Sequence, residues 1–256
     1  MKIGVFGLGH MGTAIVQGLT RSEQAVEVLG YSSNAAKADE LQVPIYSRYE
    51  DLLAQGPDVV ILTVPAKYVV AVLADLVQAG LDSKVVVLSA AASVTNADLR
   101  RAAPKNPVTT FIPNIPVAIN AGTTALSYND SIQEADQRVI RTVLDTLGDV
   151  VVVKEDQLAI AGTVGGCSPA FIDVLMDAME DAAVSRGMDR QTAAAVVASV
   201  VSGTAKLAQT SDKSFGDLKG QITSPGGTTI KGVLALDQHG FRAAVHAAIL
   251  AAAGDE

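Results

Sequence analysis

Five short apolar runs in the first 112 residues are separated by stretches of helical period, and this alternation constrains the fold more than any other feature. The runs are Lys2–Phe6, Val26–Tyr31, 58–64 (DVVILTV), 84–90 (KVVVLSA) and 107–112 (PVTTFI). The stretches between them place apolar residues at helical spacing: Met11, Ile15 and Leu19 first, then Ala35–Leu41, Asp51–Gln55, Tyr68–Gln78 and Asn96–Ala103. Runs that are apolar throughout are buried on both faces, as in a parallel sheet covered by helices. A further helix over Ser131–Leu147 and a last strand over 149–154 extend the pattern.

Beyond about residue 160 no more strands are expected. Pro169–Arg186, Arg190–Gln209 and Gly227–Ala252 carry helical periodicity, and 192–208 (TAAAVVASVVSGTAKLA) is apolar around most of its circumference. Such a helix must be buried on most of its surface, which a bundle of three or four helices cannot provide. The fold class is therefore α/β: a Rossmann-type parallel-sheet domain at 1–154, then an all-α dimerisation domain at 155–256 that completes its core against a second copy.

Composition excludes several functions. A formal charge of −8, with 19 scattered basic residues, offers no cluster for nucleic-acid phosphates. One cysteine, Cys167, precludes an internal disulfide and fits a reducing, cytoplasmic setting. The glycine-broken N-terminus reads as strand and turn instead of a signal peptide. No long charge-free apolar run predicts a membrane span. His10, His239 and His246 stand apart from any metal-ligand spacing, so no metal is expected.

Gly7-Leu8-Gly9-His10-Met11-Gly12 fits G-x-G-x-x-G between a strand and a helix. In that context the glycines let helix-start amides approach a pyrophosphate. No acid ends the second strand, where one would bind a ribose 2′-hydroxyl; Glu27 lies too early. Ser32, Ser33 and Asn34 offer hydrogen bonds to a 2′-phosphate and Lys37 offers charge, so NADP(H) is preferred and NAD(H) is the alternative. The same serines and asparagine also suit capping of the next helix. In FIPNIP (111–116), Asn114 sits at the carboxyl edge of the sheet, in a phrase that equally suits a rigid interdomain turn.

The most specific phrase is Ser224-Pro225-Gly226-Gly227-Thr228-Thr229. It predicts Ser224 as N-cap, Pro225 as first helical residue, and the amides of Gly226, Gly227 and Thr228 open to an anion. With no Lys or Arg in the turn, a carboxylate suits it better than a phosphate. Thr229, about one turn in, would offer a neutral hydroxyl.

These motifs, in order and along the whole chain, resemble the pyrroline-5-carboxylate reductase family. The likeness is carried by Gly7–Gly12, PNIP, GCSPAF (166–171), 187–207 and, above all, 223–249 (TSPGGTTIKGVLALDQHGFRAAVHAAI). The resemblance implies NAD(P)H-dependent reduction of 1-pyrroline-5-carboxylate to L-proline, and homodimers that can assemble into rings. It also implies substrate-carboxylate contacts from Ser224, Gly226, Gly227 and Thr228, a ring-nitrogen contact from Thr229, and cofactor contacts at Val64-Pro65 and Asn114. A reductase of another cyclic imino acid and a non-catalytic NADPH-binding protein are the alternatives. A β-hydroxyacid dehydrogenase needs a lysine that Gly162–Phe171 does not contain.

Overall fold

The computed structural model describes residues 1–22, 25–34, 36–91, 93–130 and 132–254. Ala35 and Ser131, the expected first residues of two helices, lie outside them. The chain forms two compact units, Met1–Gly166 and Cys167–Glu256.

The first unit holds β1 (Lys2–Phe6), α1 (His10–Arg21), β2 (Glu27–Tyr31), α2 (Lys37–Leu41), β3 (Ile45–Tyr46), α3 (Tyr49–Leu53) and β4 (Val59–Leu62). After these come α4 (Ala66–Gln78), β5 (Val86–Ser89), α5 (Asn96–Ala102), β6 (Val108–Ile112), β7 (Gly122–Ser127), α6 (Glu134–Asp145) and β8 (Gly148–Val152). They build one sheet in the order β3-β2-β1-β4-β5-β6-β7-β8. Every residue of β4 and β5 is buried, as their nearly continuous apolar character requires. Strand order reverses at β1, where Phe6 is in register with Tyr31 on one side and Leu62 on the other. The loops after β1, β2 and β4 therefore emerge together at one edge, where such sheets bind ligands.

The expected helices and strands of this unit are present with ends shifted by a few residues, but β3 and β7 escape sequence reading. β7 also breaks the parallel pattern: it runs antiparallel to β6 and parallel to β8. The connections explain both directions. A parallel neighbour needs a crossover of roughly a dozen residues or more, and only 113–121 separate β6 from β7. That link is a 3₁₀ turn over Ile115–Ile119 closed by Asn120 at φ 57°. The Asn120 amide donates to the carbonyls of Gly18 (2.8 Å) and Thr146 (2.7 Å), pinning the reversal against α1 and the end of α6. Between β7 and β8, α6 supplies the longer crossover.

Both faces of the sheet are packed. Ile3 and Val5 join Ile15, Leu19, Phe111 and Leu144 in one cluster; Phe6, Leu62, Leu73, Leu76 and Leu99 form the other. Phe6 stacks on Tyr31 at 5.4 Å, and Tyr31 meets Tyr49 at 4.6 Å. Burial, followed by the charge and hydrogen bond of Tyr31 and the charge of Asp75, pushes the Tyr49 phenol up to about 12.

α7 (Leu158–Ser185) begins in the first unit and continues into the second. Helices α8 (Arg190–Thr210), α9 (Phe215–Gln221), α10 (Thr228–Gln238) and α11 (Phe241–Ala253) follow. Three sequence expectations need correction here. Pro169 does not open its helix but sits inside α7. The single helix expected over 227–252 breaks at Gly240, whose φ of 74° leaves the helical region and whose lack of a Cβ makes that turn accessible. The short α9, capped by Ser214 and Asp217, was not anticipated.

Among the described residues of the second unit only Ala193 and Val197 are buried. Val174 (71%), Leu207 (55%) and Phe215 (82%) are exposed in this one chain. The stretch Glu155–Ser185 is long and apolar enough to cross a membrane by length and composition, with 6% of its most apolar window buried.

Candidate functional site

Three glycines shape the loop after β1 for different reasons. Gly7 has φ 102°, and a Cβ there would lie 2.8 Å from the Val64 backbone nitrogen. A Cβ on Gly12 would run into the Gly7 carbonyl oxygen and lie 2.7 Å from Thr63 Oγ1. These two glycines are needed by the fold itself. Gly9 is different: it has φ −75° and nothing within 4 Å of the Cβ position. The protein leaves that space open, where a ligand backbone approach needs it.

Gly9 is the N-cap of α1 and supplies no side-chain cap. The first amides of α1, from His10, Met11 and Gly12, therefore lack intrahelical acceptors and are open to an anion at the positive end of the helix. Met11 turns its side chain into the core, so its contribution there is its amide. A cavity of about 350 Å³ adjoins the turn, lined by Leu8, Gly9, His10, Thr13, Lys37 and Glu40 among others. Open space at Gly9, uncapped amides and this cavity fit a dinucleotide pyrophosphate.

Sequence reading missed Thr13 and Thr63. Thr63 donates to the Gly7 carbonyl at 2.6 Å and stands 3.1 Å from the Phe6 carbonyl, holding the turn against the end of β4. Thr13 lies about one helical turn beyond Gly9, and that spacing was a usable signal.

At the end of β2, Ser32 Oγ accepts from the Asn34 amide (3.0 Å) and Asn34 Oδ1 accepts from the Ala36 amide (3.1 Å). These bonds organise the approach to α2, while the Ser32 hydroxyl hydrogen and the Asn34 side-chain NH₂ take no partner among the described residues. Ser33 is exposed. Lys37 reaches over to α1: its Nζ is 2.7 and 2.9 Å from the Glu40 carboxylate oxygens and 3.4 Å from Thr13 Oγ1. Val64 and Pro65 follow β4 on the opposite side of β1, with Pro65 as N-cap of α4.

Asn114 is 7% exposed and joins two segments distant in sequence. Its Oδ1 accepts from the Thr123 amide at 2.8 Å, and its Nδ2 donates to the Gly165 carbonyl at 3.0 Å. Pro169 has no N–H to give the carbonyl four residues earlier in α7, which is that of Gly165. Asn114 supplies the donor that Pro169 removes.

The Ser224–Thr229 segment folds differently from the sequence expectation. Ser224 is not an N-cap. Its carbonyl accepts from the Gly227 amide at 3.0 Å, closing a turn with Pro225 second and Gly226 third at φ 71°. Proline presets the second position of a type II turn and glycine alone takes the left-handed third without strain. Gly227 is the N-cap and α10 starts at Thr228. The helix-start amides are thus those of Thr228, Thr229 and Ile230, while the Gly227 amide is already engaged. Thr229 is the second helical residue, earlier than expected. Ser224, Gly226, Thr228 and Thr229 are exposed, and a Cβ on Gly227 would run into Ser224 Oγ.

Comparison with known proteins covers both units. Residues 155–256 match the family model described as pyrroline-5-carboxylate reductase dimerisation, and residues 2–93 match that of the coenzyme F420-dependent NADP oxidoreductases. The chain is 33% identical to the pyrroline-5-carboxylate reductase of Escherichia coli, over 95% of this chain and 93% of that one. It superposes on a pyrroline-5-carboxylate reductase of Streptococcus pyogenes with TM-score 0.83 at 29% identity, covering 99% and 97% of the two chains. The fold is shared with a pyrroline carboxylate reductase of Plasmodium falciparum solved with NADP bound (TM-score 0.85, 24% identity, 99% and 96% covered).

Proposed function

The chain belongs to the pyrroline-5-carboxylate reductase family, and from that premise we infer that it reduces the C=N bond of 1-pyrroline-5-carboxylate with NAD(P)H, yielding L-proline. The observation that carries this reading is a pair of uncapped helix starts: that of α1 with open space at Gly9, and that of α10 behind the Ser224–Gly227 turn. One suits a pyrophosphate and the other, lacking Lys or Arg, a carboxylate.

Gly7, Leu8, Gly9, His10, Met11 and Gly12 form the pyrophosphate cradle. Ser32, Ser33, Asn34 and Lys37 serve the adenosine ribose and its 2′-phosphate, and Val64-Pro65 and Asn114 border the site along the sheet edge. When bound, the dihydronicotinamide supplies the hydride. Ser224, Gly226, Gly227 and Thr228 hold the substrate carboxylate through the turn and the helix-start amides. The Thr229 hydroxyl, which has no partner among the described residues, donates or accepts at the imine nitrogen. A protonated imine is already electrophilic, so the protein contributes mainly orientation, an effect that supplies roughly 7–11 kcal/mol in well-aligned reactions. Thr229 is the catalytic residue of this scheme.

The active form is a homodimer joined through 155–256. A unit in which only two of the described residues are buried cannot stand alone, and a second copy covers the apolar sides of α7 and α8. Asp173 and Asp177 interrupt the apolar run of α7, which suits an interface better than a bilayer span. The lone cysteine supports a reducing, cytoplasmic setting.

The test is direct. Purified protein with NADPH should lose absorbance at the nicotinamide band on addition of pyrroline-5-carboxylate, and not with 3-hydroxy acids. Thr229→Ala should lower kcat by on the order of 10–100-fold, one transition-state hydrogen bond, while the NADPH Kd holds. Absence of oxidation with pyrroline-5-carboxylate would remove the assignment.

A further inference from the structure

We propose that Glu40 sets the balance between the two nicotinamide cofactors, acting as a built-in anion on the lysine that a 2′-phosphate would otherwise claim. The inference rests on the glycine-turn reading above. Among the residues lining the cavity beside Gly9, Lys37 is the one lysine or arginine. It carries its own counter-ion: both Glu40 oxygens lie within 2.9 Å of Nζ, and Thr13 Oγ1 holds the ammonium toward α1. The Lys37 side chain is 22% exposed and that of Glu40 48%, so the pair is only partly screened by water.

The consequence differs for the two cofactors. A 2′-phosphate brings nearly two negative charges to Lys37 and meets the Glu40 carboxylate beside it. A ribose 2′-hydroxyl brings none, and a carboxylate near the ribose is the group that accepts its hydrogen bond. No acid ends β2; Glu40 supplies one from α2, one helical turn beyond Lys37. Glu40 therefore weakens NADPH and favours NADH.

Equilibrium titration by nicotinamide fluorescence, at fixed ionic strength, tests this on the full-length protein. ADP-ribose and its 2′-phosphate, titrated calorimetrically, give a second readout independent of turnover. Glu40→Gln, on an exposed helix face, is expected to tighten NADPH and the 2′-phosphorylated fragment by about 3–10-fold and to leave NADH equal or weaker. Lys37→Met is expected to weaken the phosphorylated ligands by about tenfold and NADH by less than about twofold. An unchanged NADPH-to-NADH affinity ratio in Glu40→Gln would overturn the role of Glu40 while leaving the site intact. No binding of either nucleotide by the wild-type protein would overturn the glycine-turn reading and this inference together.

Discussion

Replacing Asn114 by alanine should destabilise the protein by an amount that depends on a residue 55 positions away. The side chain satisfies two backbone groups, the Thr123 amide and the Gly165 carbonyl. A backbone group left unpaired in a buried setting costs about 1–3 kcal/mol. Thr123 is exposed and Gly165 half-buried, so water relieves part of each loss and the low end applies, about 2 kcal/mol in total. With a urea m-value of about 2 kcal/mol/M, the unfolding midpoint falls by about 1 M. Pro169 decides how much of that is due to Gly165. In a Pro169→Ala background residue 169 regains an N–H, which bonds the Gly165 carbonyl as any helical amide would. There Asn114→Ala should cost only the Thr123 share, about 1 kcal/mol, giving a coupling of about 1 kcal/mol between the two sites. The four proteins are compared by urea unfolding at one protein concentration, since association adds to apparent stability. An identical cost of Asn114→Ala in both backgrounds would refute the claim that Asn114 replaces the missing proline donor.

Gly9→Ala should leave the melting temperature unchanged, because its Cβ meets nothing in the protein, and should weaken NADPH by about tenfold or more by blocking the pyrophosphate. Gly12→Ala, whose Cβ runs into the Gly7 carbonyl, should lower the melting temperature as well; differential scanning calorimetry separates the two. Gly226→Ala places a Cβ at φ 71°, costs about 1–2 kcal/mol of turn strain, and should raise the substrate KM with little change in NADPH Kd. The raised Tyr49 phenol makes a pH prediction. The folded state keeps Tyr49 neutral up to about pH 12, whereas the unfolded chain ionises near its ordinary value of about 10. Stability from this group is therefore complete below about pH 10 and lost as pH rises toward 12. Tyr49→Phe should flatten stability over that window, with phenolate absorbance reporting the ionisation.

Much of this architecture was legible in periodicity. The apolar run 59–62 is buried on both faces, and GLGHMG between a strand and a helix forms the glycine turn its spacing predicts. Several helices of 155–256 are apolar on more than one face, as in 192–208, and the segment matches the dimerisation family model. These are short-range properties, determined by residues within a few positions of each other. What escaped sequence reading depends on partners far along the chain. GTTALS (122–127) has no strong strand signal, and β7 exists because a short 3₁₀ return, pinned by Asn120 to Gly18 and Thr146, leaves only the antiparallel direction open. Ser224 and Pro225 fit a helix start by propensity. The left-handed Gly226 and the Ser224–Gly227 bond make them a turn instead, moving the free amides to Thr228–Ile230. Asn114 looked like a ligand group at a sheet edge, and its two bonds to Thr123 and Gly165 are visible only in three dimensions. Sequence alone determined most of the strands and helices, because those follow from local sterics and the placement of apolar residues. Tertiary structure decided which polar groups remain free to meet a ligand, because each hydrogen-bonding group is claimed by whichever partner the fold brings nearest.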